Sequence, residues 1–197
     1  MKRLLIASLC TLLLMAASVG PAASDQFGGM PAYLSITGVV TEVEAYPDME
    51  GWYFVRITDE NGGPATILVT DATCFPFESE AAEGDTVTAY YPAMGIMPLI
   101  YPPQYTADVL VVGAPEEDEI VFVAVDRFSA AEDSADGMLL SQDGMLALHI
   151  NEDVPITTAD GEVFDGELDG QNLVVLYAIT TRSIPAQTTP IAVIVLP

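Results

Sequence analysis

The chain is almost without positive charge. Five Lys and Arg stand against 29 Asp and Glu, for a formal net charge of −24. Two of those cations, Lys2 and Arg3, sit at the very start, and losing them takes −24 to −26 with Arg56, Arg127 and Arg182 as the remaining cations. Nucleic acids and anionic membrane surfaces are bound through Lys/Arg neutralisation and counterion release, so this field has the wrong sign for both. Histidine is scarce too. His149 stands alone, with no second His or Cys at ligand spacing, which removes the basis for a zinc-type centre or an imidazole-based mechanism. Of two cysteines, Cys10 lies in the first apolar run, so Cys74 cannot belong to a disulfide framework. As a nucleophile Cys74 would need His149 from the other half of the chain; its simpler role is a small buried apolar residue. No Walker loop, dinucleotide-binding turn, HExxH or nucleophile elbow occurs.

Long hydrophobic runs are missing as well. Leu4 to Ala17 falls short of the roughly 20 residues that cross a bilayer. It follows Lys2-Arg3 and leads into small residues, the three-part form of a secretory signal, so residues 1–24 are expected to be removed on export after Ser24 or Ala22. No membrane insertion is expected after cleavage.

What is present is an echo. Pro102-Pro103-Gln104-Tyr105-Thr106 returns as Pro185-Ala186-Gln187-Thr188-Thr189, and a β-branched run follows each time, Val109 to Val112 and Val193 to Leu196. Upstream, Glu83-Gly84 and the strand ending at Tyr91 lie over Asp169-Gly170 and the strand ending at Tyr177; Ile67 to Asp71 lies over Leu148 to Glu152. Three blocks in the same order, with offsets that change only in loops, point to one module used twice. The organisation read from this is a flexible leader at 25–32, a first module at 33–113, an acidic linker at 114–119 and a second module at 120–197. The linker, Ala114-Pro115 followed by four acids, can form no core and extends by self-repulsion.

Each module reads as five short strands without a helix. Tyr33 to Glu44 alternates and is rich in β-branched residues. Asp59-Glu60-Asn61-Gly62-Gly63-Pro64 and Gln142-Asp143-Gly144 are hairpin turns. The expected fold is all-β, as two tandem five-stranded OB-like barrels. The missing helix between the third and fourth strands counts against a standard OB barrel and leaves small β-sandwiches as the alternative.

Two sets of residues are candidates for chemistry. The Gln-Thr loops place Tyr101, Gln104 and Tyr105 in one module and Arg182 and Gln187 in the other, and Tyr and Gln suit peptide or glycan contact. The same loops have a structural reading, with Pro fixing the entry to the last strand and Gln bonding local backbone. The acidic-glycine stretch offers Asp160, Glu162, Asp165 and Asp169 as Ca²⁺ ligands, since glycines let carboxylates converge. Its spacing is not that of an EF-hand, and the first module lacks it.

Gly84-Asp85-Thr86-Val87, Pro98 to Tyr105, Asn172 to Tyr177 and Thr181 to Pro190 together resemble an uncharacterised group of secreted proteins from Gram-positive, clostridia-like bacteria. In that group the β-module often precedes a stalk similar to the N-terminal domain of copper amine oxidases. The resemblance implies an exported, envelope-associated, non-enzymatic protein, and it implies no copper, because the His and thiolate ligands are wanting. The expected function is therefore a secreted binding or structural module of the cell envelope, extracellular or wall-associated, whose partner is a cell-wall glycan or an extracellular protein. Its rivals are a glycan hydrolase using two carboxylates and a Ca²⁺-dependent adhesion or spacer module.

Overall fold

In the computed structural model the described residues are 29–77, 80–113, 121–131 and 137–197. The expected signal at 1–24, the first part of the leader and the linker at 114–119 lie outside them. The described residues form strands and loops with no helix. The first half carries β1 (Tyr33–Ala45), β2 (Tyr53–Asp59), β3 (Pro64–Val69), β4 (Thr86–Pro92), β5 (Gln104–Thr106) and β6 (Val109–Val112). The second carries β7 (Phe122–Ala130), β8 (Leu139–Ser141), β9 (Leu146–Leu148), β10 (Ile156–Thr158), β11 (Gln171–Tyr177), β12 (Ala186–Thr188) and β13 (Ala192–Val195).

These make two sheets, ordered β5-β3-β2-β1-β4-β6 and β10-β13-β11-β7-β8-β9-β12. Strand by strand the two halves follow the same path. In each, a central strand pairs antiparallel with the next one and with a later one, and a short strand pairs parallel with the third: β5 on β3, β12 on β9. The expected five strands per half become six and seven. The Gln-Thr segments, read as loops, are strands in their own right, and Ile156–Thr158 adds an edge strand parallel to β13. The first half marks the same place with a single bridge, Cys74 to Val109.

Local chemistry sets the strand ends. Gly84 and Gly170 both take positive φ (95° and 75°), a region L side chains avoid, and both donate to the central strand, to Val40 and Phe128 carbonyls at 2.9 and 2.8 Å. Asp59 closes the first hairpin by accepting from the Asn61 and Gly63 amides. Asp143 does the corresponding work in the second, accepting from Met145 N–H and Ser141 Oγ–H. A register shift between Val40 and Glu42 ends the buried part of β1. Beyond it Arg56 pairs with Glu42 and Glu44 on an exposed face, where ion pairs contribute little.

Each half has its own core. Val40, Val55, Ile57, Ile67, Val87 and Leu110 fill the first, and Phe128, Leu148, Leu173, Val175 and Val193 the second. A third cluster joins the halves: Tyr33, Cys74, Val109 and Val111 of the first pack with Val125, Val174 and Leu196 of the second. Hydrogen bonds cross the same seam. The Ala32 amide donates to Asp126 Oδ1 at 2.6 Å, Tyr90 O–H donates to the Val123 carbonyl at 3.0 Å, and Gln142 Nε2 donates to the Met30 carbonyl at 2.9 Å. The two halves are thus a packed pair, and residues 29–32, expected as a flexible leader, lie against the second half.

Candidate functional site

Both halves leave a cleft at the same topological place, beside the strand that carries the shared Gln. In the first half it is about 240 Å³ and lies between the exit of β4 and β5. Tyr91, Pro92, Ile96 and Met97 form one wall, Gln104, Tyr105 and Thr106 another, and Asp108 and Leu34 complete it. The Tyr91 and Tyr105 rings pack at 4.7 Å between centroids, tilted by 38°, which fixes the aromatic side. Among the described residues no group partners the Gln104 carboxamide. Asp108 is half-buried; desolvation raises its pKa above the usual carboxylate range, partly offset by the hydrogen bond its Oδ2 accepts from Tyr33 O–H at 3.1 Å.

The second cleft, about 370 Å³, is lined by Ile179, Thr181, Gln187, Thr188, Thr189 and Ile191 among others. It is bound up in its own loop. Thr188 Oγ–H donates to the Ile179 carbonyl at 2.6 Å, the Gln187 amide donates to Thr181 Oγ1 at 2.9 Å, and Gln187 Oε1 meets His149 Nε2 at 3.2 Å. Tyr101-Pro102 and Ile184-Pro185 are both cis, at matching points of the two loops.

Of the residues singled out in the sequence, Gln104 and Tyr105 therefore share one cleft and Gln187 lines the other. Tyr101 and Arg182 are exposed on their loops, outside both linings. His149 is half-buried, just past the end of β9. Its imidazole meets Gln187, while Ala147 and Leu148 of β9 are both fully buried. Cys74 is buried in the seam, where desolvation pushes its thiol up to about 11.

The Ca²⁺ candidates occupy turns. Asp160 and Glu162 lie in the tight turn after β10, closed by Gly161 N–H to the Thr158 carbonyl at 2.9 Å; Asp165 is in the following loop. Asp169 is engaged elsewhere, its Oδ1 accepting from the Ala130 amide at 2.8 Å. Among the described residues no group of three or more His, Cys, Asp or Glu is arranged to hold a metal ion. Asp169→Ala is expected to cost about 1 kcal/mol by removing that acceptor from a strand end. Urea denaturation checks it, and an unchanged midpoint would mean water replaces the carboxylate at no cost.

Sequence reasoning took Tyr101, Gln104 and Tyr105 from the stretch between Asp85 and Asp108, which contains no charged residue, and passed over its other apolar side chains. Within it Met94, Ile96 and Leu99 are exposed at 87%, 99% and 103%. The signal lay in the composition, since an uncharged, Met/Ile/Leu/Pro-rich loop is conspicuous in a chain this acidic. No protein-family model matches the chain, and no curated protein matches it.

Proposed function

We propose that this is a secreted, non-enzymatic binding module of the bacterial cell envelope, built from two OB-like barrels that arose by duplication, with the Tyr91/Gln104/Tyr105 cleft as its ligand site. The observation that carries the reading is the recurrence of a cleft at the Gln-bearing strand in both halves, with the Gln104 carboxamide unpartnered among the described residues and Gln187 and Thr188 bonded within the second half. The barrel assignment is supported by the strand pairing. β5 and β6 sit at opposite edges of the first sheet yet are separated by Ala107 and Asp108 alone, so one bent strand serves β3 on one side and β4 on the other. β12 and β13 divide their work between β9 and β11 in the same way. In OB barrels the loop between strands four and five takes part in ligand contact. Here that loop is Ala93 to Pro103, the wall of the open cleft.

Binding is favoured over hydrolysis by the lining itself. Two-carboxylate glycoside chemistry needs an acid and a second carboxylate across the bond. The first cleft presents one carboxyl, Asp108, and it is held by Tyr33. The test is a screen of peptide and cell-wall glycan arrays with the native chain and with Gln104→Ala and Tyr105→Ala. A ligand whose affinity falls about tenfold or more in either variant is the expected result, equivalent to roughly 1.4 kcal/mol. Ligands indifferent to both variants, or turnover of a glycan, would reject the reading.

A further inference from the structure

The open cleft continues into an apolar surface that nothing above uses. Met94, Ile96, Leu99 and Tyr101 stand out from the loop into solvent, and Leu34 and Met97 continue the patch toward the cleft. Monomeric soluble proteins rarely show so many large apolar side chains together unless they meet a partner. The chain as a whole carries a formal charge of −24, and the loop itself holds no Lys or Arg to oppose that field. Asp108 sits where the patch meets the cleft.

We propose that this surface captures cationic amphipathic peptides. The inference rests on the binding reading of the same cleft and names its ligand class. Two requirements meet in such a peptide. Its apolar face buries Ile96, Leu99 and Met94, removing apolar area from water on both partners. Its Lys/Arg face is drawn by the net negative charge of the chain, which raises the encounter rate and disfavours anionic competitors. A peptide cation reaching the cleft mouth meets Asp108. A neutral apolar ligand would leave the field unused, and a purely basic one would leave the patch exposed.

The experiment is calorimetric titration of the full chain with three synthetic helical peptides of one length: Leu/Lys amphipathic, Leu/Glu amphipathic, and Ser/Lys. The expected result is saturable Leu/Lys binding, no Leu/Glu binding, and Ser/Lys affinity lower by about tenfold or more. Ile96→Ser combined with Leu99→Ser, both at exposed positions, should weaken Leu/Lys binding by a similar factor. Raising NaCl from about 0.05 to about 0.5 M should weaken it further, because exposed charges are then screened. Equal affinity for Leu/Lys and Ser/Lys peptides, with no effect of the loop variant, would overturn the proposal in favour of unspecific charge attraction. Equal affinity for Leu/Lys and Leu/Glu would overturn it in favour of an apolar ligand without charge. Loop-dependent binding to phosphatidylcholine vesicles without Leu/Lys binding, or loop-dependent dimerisation in sedimentation, would replace the peptide by lipid or by a second copy of this chain. If no Leu/Lys binding is found while another ligand still depends on Gln104 or Tyr105, the ligand class alone falls; if no ligand depends on them, the binding site falls with it.

Discussion

Phe128→Ala is expected to lower the free energy of unfolding by about 3–5 kcal/mol, and to be seen from the opposite half of the molecule. Among the described residues Phe128 is the largest fully buried side chain, within the second core, and it accepts the Gly170 N–H through its own carbonyl. Truncation removes its transfer energy and leaves a cavity among Leu148, Leu173 and Val193 that β-strands cannot collapse around cheaply. Trp52, the one tryptophan, lies in the first half, packed edge-on against Tyr46 at 5.8 Å. Its fluorescence therefore reports on a half that Phe128 does not touch. If the seam of Tyr33, Val109, Val111, Val125 and Val174 couples the halves, the Trp52 transition moves to lower denaturant together with far-UV circular dichroism. A Trp52 midpoint that stays in place while part of the dichroism signal melts early would mean the halves unfold separately.

The second large effect is at Asp126, 5% exposed and spanning three segments of chain. Its carboxylate accepts from the Ala32, Arg127 and Asp143 amides at 2.6, 2.9 and 3.2 Å. Asp126→Ala leaves those donors in a site with little water and is expected to cost about 3 kcal/mol. Asp126→Asn keeps one acceptor oxygen and should cost about 1 kcal/mol, as the lost bond to Asp143 N–H alone. The two variants separate hydrogen bonding from charge.

The same residue gives a pH dependence. Desolvation raises the Asp126 pKa despite three backbone donors, with Asp143 as a like charge adding to the rise; Asp108 is raised by desolvation, opposed by Tyr33. A carboxyl whose folded pKa lies above its unfolded value binds its proton more tightly when folded. Its contribution opposes folding above the folded pKa and is relieved as pH falls through that value toward the ordinary carboxylate pKa. Acidification also relieves self-repulsion of the 29 acidic side chains. The melting temperature should therefore rise between neutral pH and the upper carboxylate range, and Asp126→Asn should flatten part of that rise. A melting temperature that falls steadily over this interval would contradict both contributions.

Much of the framework was legible because it is local. Alternation marks β1, and the Asn/Asp/Gly clusters mark both hairpins. The acidic-Gly pairs at 83–84 and 169–170 mark strand entries, where positive φ leaves few residue choices. The three-residue strands β5, β10 and β12 were not legible. They are too short for a period, and each is held by parallel pairing to a segment far away in sequence. The seam between halves left a trace that is plain in retrospect. Val109 to Val112 is apolar on both faces, the pattern of a strand covered on both sides. Asp126 gave no such warning. A lone acid in Val123-Ala124-Val125-Asp126 reads as the solvent face of a strand, and only the fold brings the amides of Ala32 and Asp143 to it. The candidate site divides likewise: Gln104 and Tyr105 came from the repeat, whereas the cleft's other wall came from a loop whose sequence the repeat does not keep.

The edges of the sheets carry a consequence for how this protein behaves in a crowd. Half of the chain is hydrophobic, with Val- and Ile-rich strands of the kind that feed fibrillar aggregation. Yet the strands left at the rims are β5, β6, β10 and β12, only three or four residues long, and β6 is further occupied by its bridge from Cys74, β10 by the bridge from Thr157 to Val163. The long, sticky strands are interior to their sheets and offer no run of free amides and carbonyls to a neighbouring molecule. Short rims and abundant negative charge together let a β-rich chain of this hydrophobicity stay dispersed.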